Sequence, residues 1–255
     1  MKQGQIWLLR HGECEGGAIL RGRTDVPLTP LGWQQMQQAV TKLNINEQRI
    51  YCSPLVRTRA FATSLCGQGQ TPWVLAGLQE IDFGDWDGCG FDEVYRYDSA
   101  AFDAYWQDPW SHPAPKGETM AMFESRVERA FNSIIQDLFS ASEAKIPPTV
   151  ADEGALSTSS TSSTSSTSST SSTSEPEAGV TLTTNAGKLS TGDFASALVV
   201  THGGVIRHLM SCALGLSAGH GLYRQLDLPY GALVRISVLE DDNGNHHLRL
   251  HWSDM

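Results

Sequence analysis

Short apolar runs that alternate with helical stripes constrain the fold of this chain more than any other feature. Residues 5–9 and 197–200 are apolar runs of strand length, and residues 50–52 predict another strand. Thr29-Pro30 and Ser53-Pro54 are typical of a helix N-cap followed by a proline in the first turn. Strands that alternate with helices favour a three-layer α/β/α sandwich with a mostly parallel central sheet.

The remaining elements follow the same pattern. Apolar residues at helical spacing predict a long helix from about Thr119, with the stripe Phe123, Val127, Ala130, Phe131, Ile134 and Leu138. A short helix is predicted over residues 102–106, ended by Asp108-Pro109, and another up to Ala213, ended by Gly215. Residues 233–239 and 248–252, around Asn243-Gly244, predict a closing hairpin.

One segment has no such pattern. Every residue from Ser157 to Ser174 is Ser or Thr, and its flanks are poor in large apolar residues. Such a composition cannot offset the entropy of ordering the backbone. We therefore expect a single domain over residues 1–255 with a disordered insertion at about 142–193. An inert linker is favoured over a regulatory or partner-binding role.

Composition and charge exclude several classes of protein. The 255 residues carry a formal charge of −10, which disfavours nucleic acid and anionic membranes as partners. No apolar run approaches the ~20 residues of a membrane span, and the N-terminal run ends too early, at Arg10, for a signal peptide. The five cysteines form no Cys-x-x-Cys pair, which predicts a reducing compartment, the cytoplasm by default.

Polar residues follow the strands where ligands usually bind. Arg10-His11-Gly12 comes after the first predicted strand, and Thr201-His202-Gly203 after a later one. Arg57 falls in the first turns of a helix that follows a strand, where helix N–H groups also attract anions. Because ligands gather at the ends of parallel strands, these residues indicate an anion site. Each alone is also compatible with a structural histidine or a surface arginine.

Four blocks of sequence together resemble the histidine phosphatase superfamily, which has the phosphoglycerate-mutase-like fold. They are Leu9-Arg10-His11-Gly12-Glu13, Ser53-Pro54-Leu55-Val56-Arg57-Thr58, the segment from Leu78 to Gly88, and Val200-Thr201-His202-Gly203-Gly204. They occur in the family's order, and the resemblance covers everything except the Ser/Thr-rich insertion.

The resemblance implies a role for each matching residue. His11 would be the nucleophile that becomes phosphohistidine, and Glu80 would give a proton to the leaving group. Arg10, Arg57 and His202 would bind the phosphoryl oxygens. His11 must be neutral to attack, and neighbouring arginines disfavour its protonated form. The resemblance implies neither a metal nor a cofactor.

Some substrate contacts are less well matched. Gly203, Arg21 and Gly22 would touch the substrate. Cys14 and Gly17 stand where the family often has Thr and Asn, so the specificity of relatives transfers less directly. The sequence leaves assembly into a homo-oligomer open.

The middle of the chain is similar to the α-ribazole phosphatases. Residues 83–86, 105–110, 115–118 and 123–127 carry that similarity. The implied reaction is hydrolysis of a small phosphorylated metabolite, α-ribazole 5′-phosphate or adenosylcobalamin 5′-phosphate. The alternatives are a broad-specificity sugar-phosphate phosphatase, a phosphoglycerate mutase, which the absence of a long basic insertion disfavours, and an inactive protein that binds a phosphorylated ligand.

Other phosphate or metal chemistries fit the residues less well. A cysteine phosphatase needs Cys-x5-Arg, but four residues separate Cys52 from Arg57. His247 and His251 would lie ~13 Å apart on one strand at ~3.3 Å per residue, too far to share an ion alone. Gly187-Lys188 lacks the other residues of a nucleotide P-loop.

Overall fold

A mixed sheet of six strands organises the molecule. The computed structural model describes residues 1–140, 195–216 and 222–251, all within one compact unit. The strands are β1 (Lys2–Arg10), β2 (Arg49–Cys52), β3 (Trp73–Val74), β4 (Ala195–Thr201), β5 (Leu233–Glu240) and β6 (His246–His251). Their order across the sheet is β3-β2-β4-β1-β5-β6. The first four strands of this order are parallel, and only β5 runs in the opposite direction, antiparallel to β1 and β6. The prediction of a mostly parallel sheet is confirmed.

Helices cover both faces of the sheet. They are α1 (Pro30–Val40), α2 (Val56–Leu65), α3 (Phe91–Gln107), α4 (Met120–Phe139), α5 (Gly203–Ala213) and α6 (Leu222–Gln225). Successive strand residues point to opposite faces. Leu8 therefore packs in the cluster that contains the apolar faces of α4 and α5, and Leu9 in the cluster that contains those of α1 and α2. The predicted three-layer sandwich is confirmed.

Most predicted helix ends are confirmed, and the predicted start of α2 is wrong. The Thr29 and Thr119 side chains cap α1 and α4 by accepting the N–H of Gly32 and Met122. Ser53 does not cap a helix, because α2 begins three residues later at Val56 and has no side-chain cap. The Ser53 N–H instead bonds to the Val200 carbonyl at 3.1 Å, which holds the residue at the end of the sheet.

Helix α3 is longer than predicted. It starts at Phe91 rather than 102 and contains a kink at Asp98, which has non-helical backbone angles. The kink breaks the helical period, so the first half of α3 gives no continuous apolar stripe. Its buried residue Val94 packs with Leu20, Trp86, Tyr105 and Ala114 in a third cluster.

Two further predictions concern the Ser/Thr-rich insertion and the absence of a membrane span. The predicted insertion at 142–193 lies outside the described residues and stays a prediction. No helix in the described ranges combines the length and apolarity needed to cross a membrane.

Candidate active site

Two buried histidines leave neighbouring strands at the same edge of the sheet. Strands β1 and β4 pair in parallel with Arg10 opposite Thr201, so the next residues, His11 and His202, lie side by side. Their ring centroids are 5.3 Å apart with an interplanar angle of 62°. The backbone N–H of His11 donates to the Thr201 carbonyl at 2.9 Å, which ties the two chain segments together. The structure thus brings together the two His-Gly sequences, which lie far apart in the chain.

A backbone carbonyl sets the orientation of the His11 ring. Nδ1 of His11 lies 2.8 Å from the Gly12 carbonyl oxygen. Because a carbonyl can only accept, this bond places the ring proton on Nδ1 and leaves the lone pair of the neutral ring on Nε2. Gly12 itself must be glycine, since a Cβ there would lie 2.1 Å from the Gly32 carbonyl oxygen.

Burial and positive charge keep both rings neutral. His11 is only 5% exposed, and burial followed by the charge of Arg57 holds its pKa well below the usual 6.5. The pKa of His202 is also held well below 6.5, first by burial and then by Arg57. A neutral His11 has the lone pair that a nucleophile requires.

Arg57 is fully buried in the first turn of α2, as the sequence predicts. Its Nη1 donates to the Thr24 carbonyl and its Nη2 to the Gly22 carbonyl, each at 2.8 Å. These bonds fix the guanidinium group against the loop that contains Arg21 and Gly22. Burial lowers the pKa of Arg57 from its usual value, an effect opposed by the negative charge of Glu80.

Arg10 lies on the other side of the site against an aromatic ring. Its guanidinium carbon is 4.5 Å from the centre of the Tyr230 ring, and its Nη1 donates to the Leu228 carbonyl. The Tyr230 ring is also 5.7 Å from that of His11. Tyr230 therefore belongs to the site, although nothing in its sequence neighbourhood singles it out.

The carboxylate of Glu80 is held by two backbone donors. Its Oε2 accepts the N–H of Gly204 at 3.0 Å and its Oε1 accepts the N–H of Ile81 at 3.1 Å. A Cβ on residue 204 would lie 2.3 Å from Oε1, so only glycine allows this approach. From the sequence, Gly204 has no predicted role, and the separate prediction that Gly203 touches the substrate stays a prediction. A second glycine after the histidine is the signal that could have identified Gly204.

The segment that leads to Glu80 is fixed by a side chain that sequence reasoning missed. Arg126 of α4 donates to the carbonyl oxygens of Gly77, Gln79 and Glu80 at 2.8–2.9 Å. It also forms an ion pair with Glu118 at 2.7 Å. An arginine beside an apolar helix stripe gives no sign of such a role in the sequence.

Arg21 and Gly22 line the same region with different functions. Nη2 of Arg21 donates to the carbonyls of Glu15 and Gly17, each at 2.8 Å, and so closes the loop between them. The charge of Arg21 also contributes to the lowered pKa of His11. Gly22 provides the carbonyl that holds Arg57.

Ser53 lies within hydrogen-bond distance of one nitrogen of the His202 ring. The Ser53 hydroxyl lies 2.8 Å from Nε2 of His202, and both residues are fully buried. Nδ1 of His202, in contrast, is buried without a hydrogen-bond partner. A ligand atom at that nitrogen would complete the hydrogen bonding of the ring.

The unpartnered buried nitrogens concentrate on the predicted site residues. In the part of the chain that the structure describes, six buried side-chain atoms lack a partner. Four of them are Nε of Arg10, Arg21 and Arg57 and Nδ1 of His202. Because buried polar groups are normally bonded, these nitrogens indicate donors prepared for an anion.

Known proteins similar to this chain include phosphatases. The family model of the histidine phosphatase superfamily (branch 1) matches residues 6–140. The adenosylcobalamin/alpha-ribazole phosphatase of Escherichia coli is 32% identical over 130 residues, 49% of this chain and 64% of that protein, just under two thirds of its length. The enzyme of the same name from Salmonella typhimurium is 31% identical over 158 residues, 60% of this chain and 76% of that protein.

Solved structures share the fold. The alpha-ribazole phosphatase of Shigella flexneri has a TM-score of 0.64 at 20% identity and covers 98% of this chain and 96% of its own. A mycobacterial glucosyl-3-phosphoglycerate phosphatase has a TM-score of 0.65 at 20% identity, with 97% of each chain covered. At these identities the structural likeness concerns the fold.

Proposed function

Because the chain belongs to the histidine phosphatase superfamily (branch 1), we propose that it hydrolyses phosphomonoesters through a phosphohistidine formed on His11. The observation that carries this proposal is the set of unpartnered buried nitrogens on Arg10, Arg57 and His202 around the neutral His11 ring. Cationic and neutral donors fixed before the substrate arrives stabilise the charge of a transferring phosphoryl group.

The reaction proceeds in two steps. Nε2 of His11 attacks phosphorus and forms a P–N bond, the ester P–O bond breaks, and the leaving oxygen takes a proton from Glu80, which enters this step as the carboxylic acid and leaves it as the carboxylate. Water then attacks the phosphorus, its proton passes to Glu80, and the P–N bond breaks to release inorganic phosphate. Arg10 and Arg57 stay charged throughout and bind the phosphoryl oxygens.

His202 contributes a neutral donor. In the tautomer with the proton on Nδ1, Nε2 accepts the hydroxyl hydrogen of Ser53 and Nδ1 donates to a phosphoryl oxygen. The lowered pKa of His202 favours this neutral form at pH 7. Ser53 then acts as a positioning residue for the tautomer.

We propose α-ribazole 5′-phosphate or adenosylcobalamin 5′-phosphate as the substrate. The names of the relatives from Escherichia coli and Salmonella support this choice. Tyr230, which is partly exposed beside His11, provides an aromatic surface for a flat group of the ligand. The free thiols of all five cysteines are compatible with the predicted cytoplasmic location.

Phosphate release tests the reaction and the substrate separately. The purified chain is given α-ribazole 5′-phosphate and a panel of sugar phosphates at 25 °C, with and without EDTA. We expect preferential release from α-ribazole 5′-phosphate, unchanged by EDTA and lost in His11→Ala. His112→Ala, which removes an exposed histidine, is the matched control and should keep full activity.

The outcomes separate the alternatives. Equal rates across the panel would contradict the substrate but keep the mechanism. Release that survives His11→Ala would contradict the phosphohistidine. No release from any ester would favour an inactive protein that binds a phosphorylated ligand.

A further inference from the structure

Helices α4 and α5 bring a carboxylate, an imidazole and a thiol together away from the proposed active site. Nε2 of His208 lies 3.2 Å from Oε1 of Glu128 and 3.6 Å from Sγ of Cys212. The three ligand atoms all lie within 4.8 Å of one another. His208 is buried, and Glu128 is open to solvent on one side. A small ion could therefore reach the group without opening the core.

Helical spacing explains why these side chains meet. His208 and Cys212 lie four residues apart on α5, so they share one face of that helix. Glu124 and Glu128 have the same spacing on α4. The two helices pack against each other, and the two faces meet.

A second carboxylate lies close to the other nitrogen of the histidine ring. Oε1 of Glu124 lies 3.6 Å from Nδ1 of His208 and also accepts the indole N–H of Trp110 at 3.1 Å. Histidines that bind a metal through one nitrogen usually donate the other N–H to a carboxylate in this way. In the metal-free chain the Glu128 carboxylate accepts the Nε2 proton of His208. When an ion takes the place of that proton, the ring proton lies on Nδ1 beside Glu124, and Nε2 faces the ion.

We propose that Glu128, His208 and Cys212 bind a zinc ion, with water as the fourth ligand. Thiolate and imidazole ligands select zinc over magnesium or calcium. Zn–N bonds of about 2.0–2.1 Å and Zn–S bonds of about 2.3 Å at tetrahedral angles place nitrogen and sulfur about 3.6 Å apart. The His208–Cys212 separation in the structure is 3.6 Å. Binding releases the thiol proton of Cys212 to solvent.

The ion would link helices α4 and α5, which lie outside the proposed active site but position Glu80 in it. Helix α5 starts directly after His202, and its residue Gly204 holds Glu80. Helix α4 carries Arg126, which fixes the segment before Glu80. The zinc ion takes no part in phosphoryl transfer, and its effect is to stabilise the fold.

Titration of metal-free full-length protein with ZnCl₂ tests the site directly. We expect one ion per chain by calorimetry and a rise in Tm on saturation. With CoCl₂ we expect near-ultraviolet absorption from thiolate-to-cobalt charge transfer. Cys212→Ser should lose that absorption and weaken Zn²⁺ binding at least tenfold. Glu124→Gln should weaken binding about 10–100-fold while Cys212 still binds cobalt.

Matched variants distinguish this site from other zinc-binding groups. Cys66→Ser removes another half-buried thiol at a helix end and should bind like the original chain. His246→Ala/His247→Ala removes the exposed histidines of the β5–β6 hairpin and should also keep the ion. Glu128→Gln changes a side chain that is 53% exposed, so it tests the site even if Cys212→Ser does not fold.

Two results would overturn the proposal. One is cobalt binding without thiolate absorption. The other is Zn²⁺ affinity within twofold of the original in both Cys212→Ser and Glu128→Gln. Either would mean that the cluster is only a hydrogen-bonded group. Because the readouts are binding and Tm, they are independent of phosphate release.

Discussion

At the scale of single residues, a neutral thiol lies beside His11 in addition to the arginines. Sγ of Cys14 lies 3.4 Å from Nδ1 of His11 and is only 3% exposed. Burial raises the pKa of this thiol, so Cys14 is a neutral neighbour at pH 7. A neutral thiol adds no negative charge that would favour protonation of His11. The replacement of the family's usual threonine by Cys14 is therefore compatible with a neutral nucleophile.

A substitution at Gly204 tests the proposed role of Glu80 as the acid by adding a single methyl group. We expect Gly204→Ala to reduce kcat by about 10²-fold or more, because the added Cβ would displace the Glu80 carboxylate. Kinetics with α-ribazole 5′-phosphate, together with circular dichroism, would measure the effect. Gly90→Ala is the control, since its Cβ would meet nothing closer than 3.8 Å. A kcat for Gly204→Ala within twofold of the original would contradict the role of Glu80.

At the scale of secondary-structure elements, single charged side chains attach loops to the sandwich. Arg57 of α2 holds the carbonyls of Gly22 and Thr24. The Asp87 carboxylate accepts the N–H groups of Arg23 and Thr24 at 2.7 and 2.8 Å. Arg126 does the same for the segment before Glu80. The loops around the site are therefore fixed by the protein's own side chains before any substrate binds.

Replacement of Arg126 should affect both stability and rate. We expect Arg126→Met to lower the free energy of unfolding by about 1–3 kcal/mol, because Glu118 loses its nearer ion-pair partner and three backbone carbonyls lose their donor. We also expect a lower kcat, since the segment that places Glu80 is released. Urea unfolding and steady-state kinetics would measure the two effects.

A double variant separates the two effects of Arg126. Glu118→Gln/Arg126→Met removes the buried charge and should recover part of the stability but not kcat. Arg129→Met, an exposed change on the same helix, should alter neither. Full recovery of kcat in the double variant would mean that Arg126 does not position Glu80.

At the scale of the whole molecule, the two buried histidines of the proposed active site connect stability to pH. Above about pH 6.5 each ring is neutral in both the folded and unfolded chain. Below that pH the unfolded ring takes a proton, while the lowered pKa values of His11 and His202 keep the folded rings neutral. The unfolded state therefore binds more protons, and stability falls as the pH decreases.

Urea unfolding at pH 7.5 and pH 5.0 measures this effect. We expect each ring to lower the free energy of unfolding by at most about 2 kcal/mol at pH 5, because about 1.36 kcal/mol is lost for each pH unit below about 6.5. His11→Asn/His202→Asn removes both groups and should lose less stability between the two pH values. His112→Asn should behave like the original chain. An equal loss in the double variant and the original chain would contradict this explanation.

The sequence predicts local features of the fold and site better than contacts between distant segments. The edge where His11 and His202 meet follows from apolar runs that end in His-Gly, and parallel strands align such ends. Ser53 behind His202, Tyr230 beside Arg10 and Arg126 behind Glu80 depend on packing between segments 46 to 220 positions apart, which no local pattern encodes. The early start of α3 was missed because its kink interrupts the period.

The order of the strands has a consequence for how the protein is made. Strand β4, from the second half of the chain, lies between β2 and β1, which therefore do not touch each other. A nascent chain on the ribosome that ends before β4 has no neighbour for β1 and only the two-residue β3 beside β2, and it lacks His202 and the N–H that holds Glu80. Synthesis must pass β4 before β1 and β2 can join one sheet, and β6 before that sheet is complete, so long-range pairing makes folding a late event. The growing chain would thus be protected from acting on cellular phosphoesters until it is nearly complete, at the cost of exposed strand edges that a chaperone would bind.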